Sequence, residues 1–178
     1  MKRIVVVPYD PQWVQEFALA SREIAAALGE NLIEIHHIGS TSIPEIHAKP
    51  VIDMLAVVAD IAAVDARSEP MMALGYQVRG EFGIAGRRYF PRDNADGART
   101  HQIHAFQSGS PHISRHLAFR DFMRAHGEIA QQYSDLKRTL AAAHPDDLNA
   151  YMDGKDAFIQ EMEARALAWV AAGRPVAD

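Results

Sequence analysis

Residues His36 to Leu55 read HHIGSTSIPEIHAKPVIDML, and the rest of the chain is organised around them. An apolar run from Leu32 to Ile38 breaks into Gly39-Ser40-Thr41-Ser42. It then passes Pro44 and Lys49-Pro50 and re-enters an apolar run carrying one acid, Asp53. Strand alternation puts Asp53 with Val51 and Leu55 on one face, and Ile52 and Met54 on the other. A Gly-Ser turn directly after a strand presents backbone N–H groups and hydroxyls in a concave nest that suits phosphate oxygens. Gly39, Ser40 and Thr41 are therefore candidate phosphate or nucleotide ligands, and Lys49 adds a point charge. Arg88, in a later strand, is a candidate bidentate clamp for an anionic oxygen. The plainer readings are a strand exit for Gly39-Ser40-Thr41 and an exposed ladder position for Arg88.

Working outward, Leu32–Ile38 and Val51–Val58 read as two central strands, the second apolar enough to be covered on both faces. Such burial makes Asp53 costly without a partner. Before them, Arg3 to Val7 reads as a short strand. Asp10-Pro11 opens a helix whose Trp13, Phe17, Ile24 and Leu28 form one apolar face until Gly29. After them, a helix is expected from Ile61 to Leu74, closed by Gly75. Short strands follow around Tyr76–Val78, Arg87–Phe90 and Thr100–Phe106. From Pro111 the period turns helical: Ile113, Leu117 and Phe122 mark one helix, Ile129, Tyr133, Leu136 and Leu140 a second, Phe158, Met162, Leu167 and Trp169 a third. Gly127, Pro145 and Gly154 punctuate them. A mixed sheet followed by helices predicts an α+β fold.

The 178 residues suit one domain, read as residues 1–172 with a loose tail at 173–178. The absence of cysteine excludes disulfides, thiolate metal sites and cysteine nucleophiles, and fits a cytoplasmic protein. The apolar run after Met1-Lys2-Arg3 stops at Pro8 and is too short for a signal peptide, and no stretch is long enough to span a membrane. A net charge of -5 argues against a long nucleic acid as partner. The central arginines Arg79, Arg87, Arg88, Arg92 and Arg99 leave room for a small anionic ligand such as a nucleotide.

Five motifs occur in order: Val7-Pro8-Tyr9-Asp10-Pro11-x-Trp13, His37-Ile38-Gly39-Ser40-Thr41-Ser42-Ile43-Pro44, Ala48-Lys49-Pro50-Val51-Ile52-Asp53, His101-x-Ile103-His104 and Phe119-Arg120-Asp121. Together they resemble the GrpB family over about Ile4 to Phe158. That family is placed in the nucleotidyltransferase superfamily, with a fold like the palm of DNA polymerase beta, and relatives occur fused to dephospho-CoA kinase. The resemblance implies a nucleotidyltransferase-like mixed β-sheet with flanking helices and a helical C-terminal part. In active members of the superfamily a Gly-Ser turn holds the triphosphate, and three acids hold two divalent metals. Gly39 and Ser40 match the turn, and Asp53 matches the first acid. Leu55 stands at the second, and the third would fall near His104. Glu45 replaces the glycine that usually follows the proline.

A two-metal centre needs several carboxylates to hold both dications, and Leu55 can ligate nothing. Unless Glu34 or Glu45 reaches in, a divalent metal (magnesium, manganese or zinc) would depend on Asp53 and His104, a set that favours zinc or manganese over magnesium. His101 and His104 lie three apart on a strand, so they face opposite ways and only one can join the site. Phe119-Arg120-Asp121 reads as a helix face with an ion pair. Three functions stay open: a nucleotide- or phosphate-binding protein that transfers a nucleotidyl or phosphoryl group to a small molecule, a non-catalytic regulatory domain with a degenerate site, and a single-metal hydrolase using Asp53 and His104 as catalytic residues.

Overall fold

Continuous apolar character places the second strand at the centre of a four-stranded sheet. A computed structural model describes residues 3–174. Strands β1 (Leu32–Ile38), β2 (Ile52–Val58), β3 (Arg87–Asp93) and β4 (Arg99–Gln107) are arranged in the order β1-β2-β4-β3. β1 and β3 pair antiparallel with their neighbours, whereas β2 and β4 are parallel, Asp53 opposite Gln102 and Leu55 opposite His104. Helices α1 (Gln12–Leu28), α2 (Ser68–Ala73), α3 (Pro111–Ala125), α4 (Gly127–Ala143) and α5 (Leu148–Ala171) flank the sheet. This is the α+β arrangement expected, a mixed β-sheet with flanking helices and a helical C-terminal part.

The even-numbered residues of β2 and the odd-numbered residues of β4 build the main core: Ile52, Met54, Ala56, Val58, Ile103 and Ala105 pack against Trp13, Ile24 and Leu28 of α1. Trp13 is 3% exposed and meets the ring of Tyr9 edge-on at 5.5 Å. Trp13→Ala should therefore cost about 3–5 kcal/mol, the usual loss for a buried aromatic. A melting temperature moved by less than about a degree would contradict that burial. On the opposite face Ile38, Leu55 and Phe106 meet Ile113 and Leu117 of α3. A third core joins Ile43 and Ile46, from the β1–β2 connection, to Phe122, Met123, Tyr133 and Met162 of the three C-terminal helices. The β1–β2 connection is thus pinned to the helical part, and a cleft opens between that part and the sheet.

Several local expectations are corrected. Arg3–Val7 forms no strand; Val7 alone exchanges two backbone bonds of 2.9 Å with Ala48. On one side the ladder stops at Pro50, which stands at the next hydrogen-bonding position opposite Val5 and has no N–H to donate. Ile61–Leu74 is not one helix but a 3₁₀ segment, Ala62–Arg67, followed by α2. Pro70 explains the break, because its ring would clash with the carbonyl four residues back. Tyr76–Val78 lies along the outer edge of β3 without becoming a strand: Gln77 N–H donates to Pro91 O at 2.9 Å, and Pro91 has no N–H to return the bond. Gly154 does not punctuate helices but sits inside α5, where a Cβ would collide with Leu140 of α4. Leu167 faces outward, 42% exposed. Of the expected tail, residues 175–178 lie outside the described residues, and Arg174 reaches Asp121 at 3.2 Å. Among the described residues no helix is long and apolar enough to cross a membrane.

Candidate functional site

The Gly39 turn closes directly over Asp53. Gly39 has φ 70° and ψ -174°, and a Cβ built there would lie 2.5 Å from Asp53 Oδ2. Only glycine lets the backbone approach the carboxylate this closely. The turn Ser40–Ser42 is then locked by Ser42, which donates from Oγ to Gly39 O at 2.6 Å. Thr41 Oγ1 donates to Val51 O at 3.1 Å and lies 2.9 Å from His37 Nε2. Since the hydroxyl has one proton, His37 Nε2 must be the donor to it. His37 stacks on Phe17 at 4.9 Å, and burial together with Arg124 and Arg120 pushes its pKa down to about 4. From α3, Arg124 donates to Ser42 O at 2.8 Å and Arg120 to His37 O at 3.3 Å, bracing the turn from outside. Arg120 also pairs with Asp121 at 2.7 Å, so Phe119-Arg120-Asp121 is the helix face and ion pair expected.

The turn forms one wall of a cleft of about 350 Å³. Gly39, Ser40, Thr41, Lys49, Asp53 and His104 all line it, although the Thr41 hydroxyl is committed to the fold rather than turned into the cleft. Arg88 does not belong there. Its guanidinium forms a bidentate pair with Asp65, at 2.6 and 2.9 Å, on the other side of the sheet. The physical reason is strand parity: Arg87 and Tyr89 point to the cleft face, Arg88 and Phe90 away from it. Arg87 donates to His104 Nδ1 at 3.3 Å. An arginine cannot accept, so His104 must carry its proton on Nε2, which faces Asp53 Oδ1 at 4.0 Å. His101 lies on the opposite face, beside Arg92 and Tyr76.

The far wall comes from the helices. Tyr133 and Lys137 of α4, Tyr151, Lys155 and Glu163 of α5, and Arg115 and His116 of α3 line the same cleft. Sequence reading missed all of these as site residues. A signal was present for two of them: Lys137 continues the buried stripe Ala130-Tyr133, and Lys155 lies one turn beyond buried Tyr151. A lysine on an apolar stripe is expensive without a purpose. Lys137 is 2% exposed and donates to His47 O at 2.5 Å. Lys49 and Lys155 approach the Tyr151 ring at 5.6 and 5.5 Å.

Burial governs the electrostatics. It raises the Asp53 pKa to about 6 against the opposing pull of Lys49, Lys155 and Arg99. It lowers Lys137 to about 7, with Lys155 adding repulsion, and lowers Lys49 and Lys155 as well. Burial and then the arginines hold His104 down at about 4 and His116 at about 3. At neutral pH the cleft therefore offers an ionised carboxylate beside a neutral imidazole, surrounded by lysines. As a metal centre the donor set is thin. Among the described residues no three His, Cys, Asp or Glu side chains converge on one point. Leu55, at the second acid's place, is fully buried; Glu34 pairs with His36, and Glu45 is exposed on a different surface. These residues do not fit a two-metal centre.

The UPF0157 protein YqkA of Bacillus subtilis is 46% identical over 168 residues, covering 94% of this chain and 48% of its own length. The chain thus spans about half of that relative. The UPF0157 protein PA4798 of Pseudomonas aeruginosa is 36% identical over 93% of this chain and 69% of its own. The crystal structure of the conserved protein GrpB from Enterococcus faecalis superposes with a TM-score of 0.88 at 42% identity, over 92% of this chain and 98% of that one. A family model described as GrpB protein matches residues 3–165, and with these relatives the chain belongs to the GrpB family.

Proposed function

We propose that the cleft binds the phosphate of a nucleotide or of another small molecule and is built to transfer a phosphoryl or nucleotidyl group. The observation that carries this reading is that the Gly39-Ser40 turn, Asp53, Lys49, Lys137 and Lys155 line one open cleft. A regulatory domain with no chemistry left would have no need of an open cleft beside Ser40 and Asp53. Group transfer assigns roles to the residues present. The acceptor hydroxyl gives its proton to Asp53 as its oxygen bonds to phosphorus. The bond from phosphorus to the leaving oxygen breaks, and the lysines hold the phosphate that departs. A carboxylate with a pKa near 6 is a stronger base than an exposed one and is still ionised at pH 7. The neutral His104 faces it with Nε2–H at 4.0 Å, beyond direct hydrogen-bond reach.

Calorimetric titration with the four ribonucleoside triphosphates and with inorganic phosphate, with and without magnesium or manganese, tests binding. No heat for any of them at millimolar concentration overturns the proposal. If transfer occurs, release of pyrophosphate or inorganic phosphate in the presence of a small-molecule alcohol should fall about 100-fold in Asp53→Asn. An unchanged rate would remove Asp53 from the chemistry.

A further inference from the structure

Charge within the cleft does not balance. Arg115 is neutralised by Glu163, 2.5 Å away. That leaves Lys49, Lys155 and Lys137, the last lowered by burial to about 7, against Asp53: a surplus of between one and two positive charges near pH 7. Among the described residues none of the three lysines has a carboxylate within ion-pair distance, although acids are plentiful on the surfaces of α4 and α5. The lysines also come from three separated parts of the chain, the β1–β2 connection, α4 and α5. Each is at least partly withdrawn from solvent, Lys137 almost completely. Folding gathers like charges here at a cost that the His47 carbonyl, the Tyr151 ring and the single carboxylate of Asp53 offset only in part.

A phosphate monoester carries about 1.5 to 2 negative charges at neutral pH, which complements this surplus and favours the protonated form of Lys137. In a two-metal site the dications supply that complement, held by the carboxylates that Leu55 and its surroundings do not provide. Resting on the reading of the cleft as a phosphate site, we infer that Lys49, Lys137 and Lys155 replace the metals as the counter-charge for a phosphate monoester, so that binding needs no divalent ion. Asp53 then contributes no ligand bridge to the phosphate; it faces the anion as a like charge.

This makes the response to Asp53→Asn opposite for the two ways of holding phosphate. With a metal bridge, removing the carboxylate removes the ion and weakens binding. With the lysines alone, it removes repulsion and leaves affinity equal or higher. The experiment is calorimetric titration of the full chain with inorganic phosphate and with adenosine monophosphate, once in a chelator and once in millimolar magnesium. Affinity for at least one probe should agree between the two buffers to within about threefold, and Lys155→Gln or Lys49→Gln should lower it about tenfold while melting normally. These two lysines are chosen because they are partly exposed, whereas a change at Lys137 could prevent folding. Binding that appears only with magnesium and vanishes in Asp53→Asn overturns the inference but leaves the proposed function standing. Metal-free binding that is indifferent to both lysine variants overturns the lysine assignment. No binding in either buffer overturns the inference, and the proposed function with it if the nucleoside triphosphates fail as well.

Discussion

Lowering the pH from 6.5 towards 4 is expected to remove several kcal/mol of stability, well before the bulk of the carboxylates are protonated. His37, His101 and His104 are buried as neutral rings with their pKa held at about 4, and His116 at about 3, chiefly by desolvation. An unfolded histidine titrates near 6.5. Between these values the unfolded chain binds more protons than the folded one, so stability rises with pH across the window and is lost as pH falls through it. Each pH unit inside the window is worth about 1.4 kcal/mol per group, an upper figure for rings that retain some solvent contact. Asp53 works the other way. Its raised pKa stabilises the fold below about 4, and that contribution is lost as pH rises through about 6. Burial raises Glu16 too, but two carboxylates against four histidines leave the net slope positive. Urea melts at pH 7, 6 and 5 would measure it. His37→Gln, which keeps a donor for Thr41, should flatten the profile by one group's share. A midpoint constant from pH 7 to pH 5 would refute the buried neutral histidines.

How much of this was legible beforehand follows from where the information lies in the chain. The floor of the cleft, Gly39 to Asp53, could be read because its turn, lysine and acid fall within fifteen residues and strand parity fixes their faces. Parity also separated His104 from His101. It failed for Arg88 because the face of β3 that meets the cleft depends on its register with β4, which no local pattern specifies. The far wall was invisible for a related reason. Lys137 and Lys155 join the cleft of Asp53 only through the packing of Ile43 and Ile46 on the C-terminal helices, a contact between residues some ninety positions apart. Periodicity identifies a helix and its buried stripe, but not what that stripe meets.

Gly39→Val tests the joint between turn and carboxylate, and its effect on stability should be among the largest of any single substitution. Two separate costs apply. At φ 70° and ψ -174° the backbone occupies a region that is essentially glycine's alone, which costs a side chain about 1–3 kcal/mol. The new Cβ would also lie 2.5 Å from Asp53 Oδ2, 3.0 Å from its Cβ and 3.1 Å from its Cγ, so the strand acid or the turn must move. Overpacking of that kind costs about another 1–3 kcal/mol, and the branched methyls of valine push both contributions towards their upper ends. A total loss of about 4–6 kcal/mol is expected, measured by denaturant unfolding at pH 7. Asp53→Ala in the same chain removes Oδ2 and Cγ but leaves the backbone conformation unchanged. The double variant should therefore recover about 1–3 kcal/mol relative to Gly39→Val alone, while Asp53→Ala by itself recovers nothing. If the two substitutions simply add, the Gly39 backbone and the Asp53 carboxylate are not in contact, and the close approach that defines the floor of the cleft is wrong.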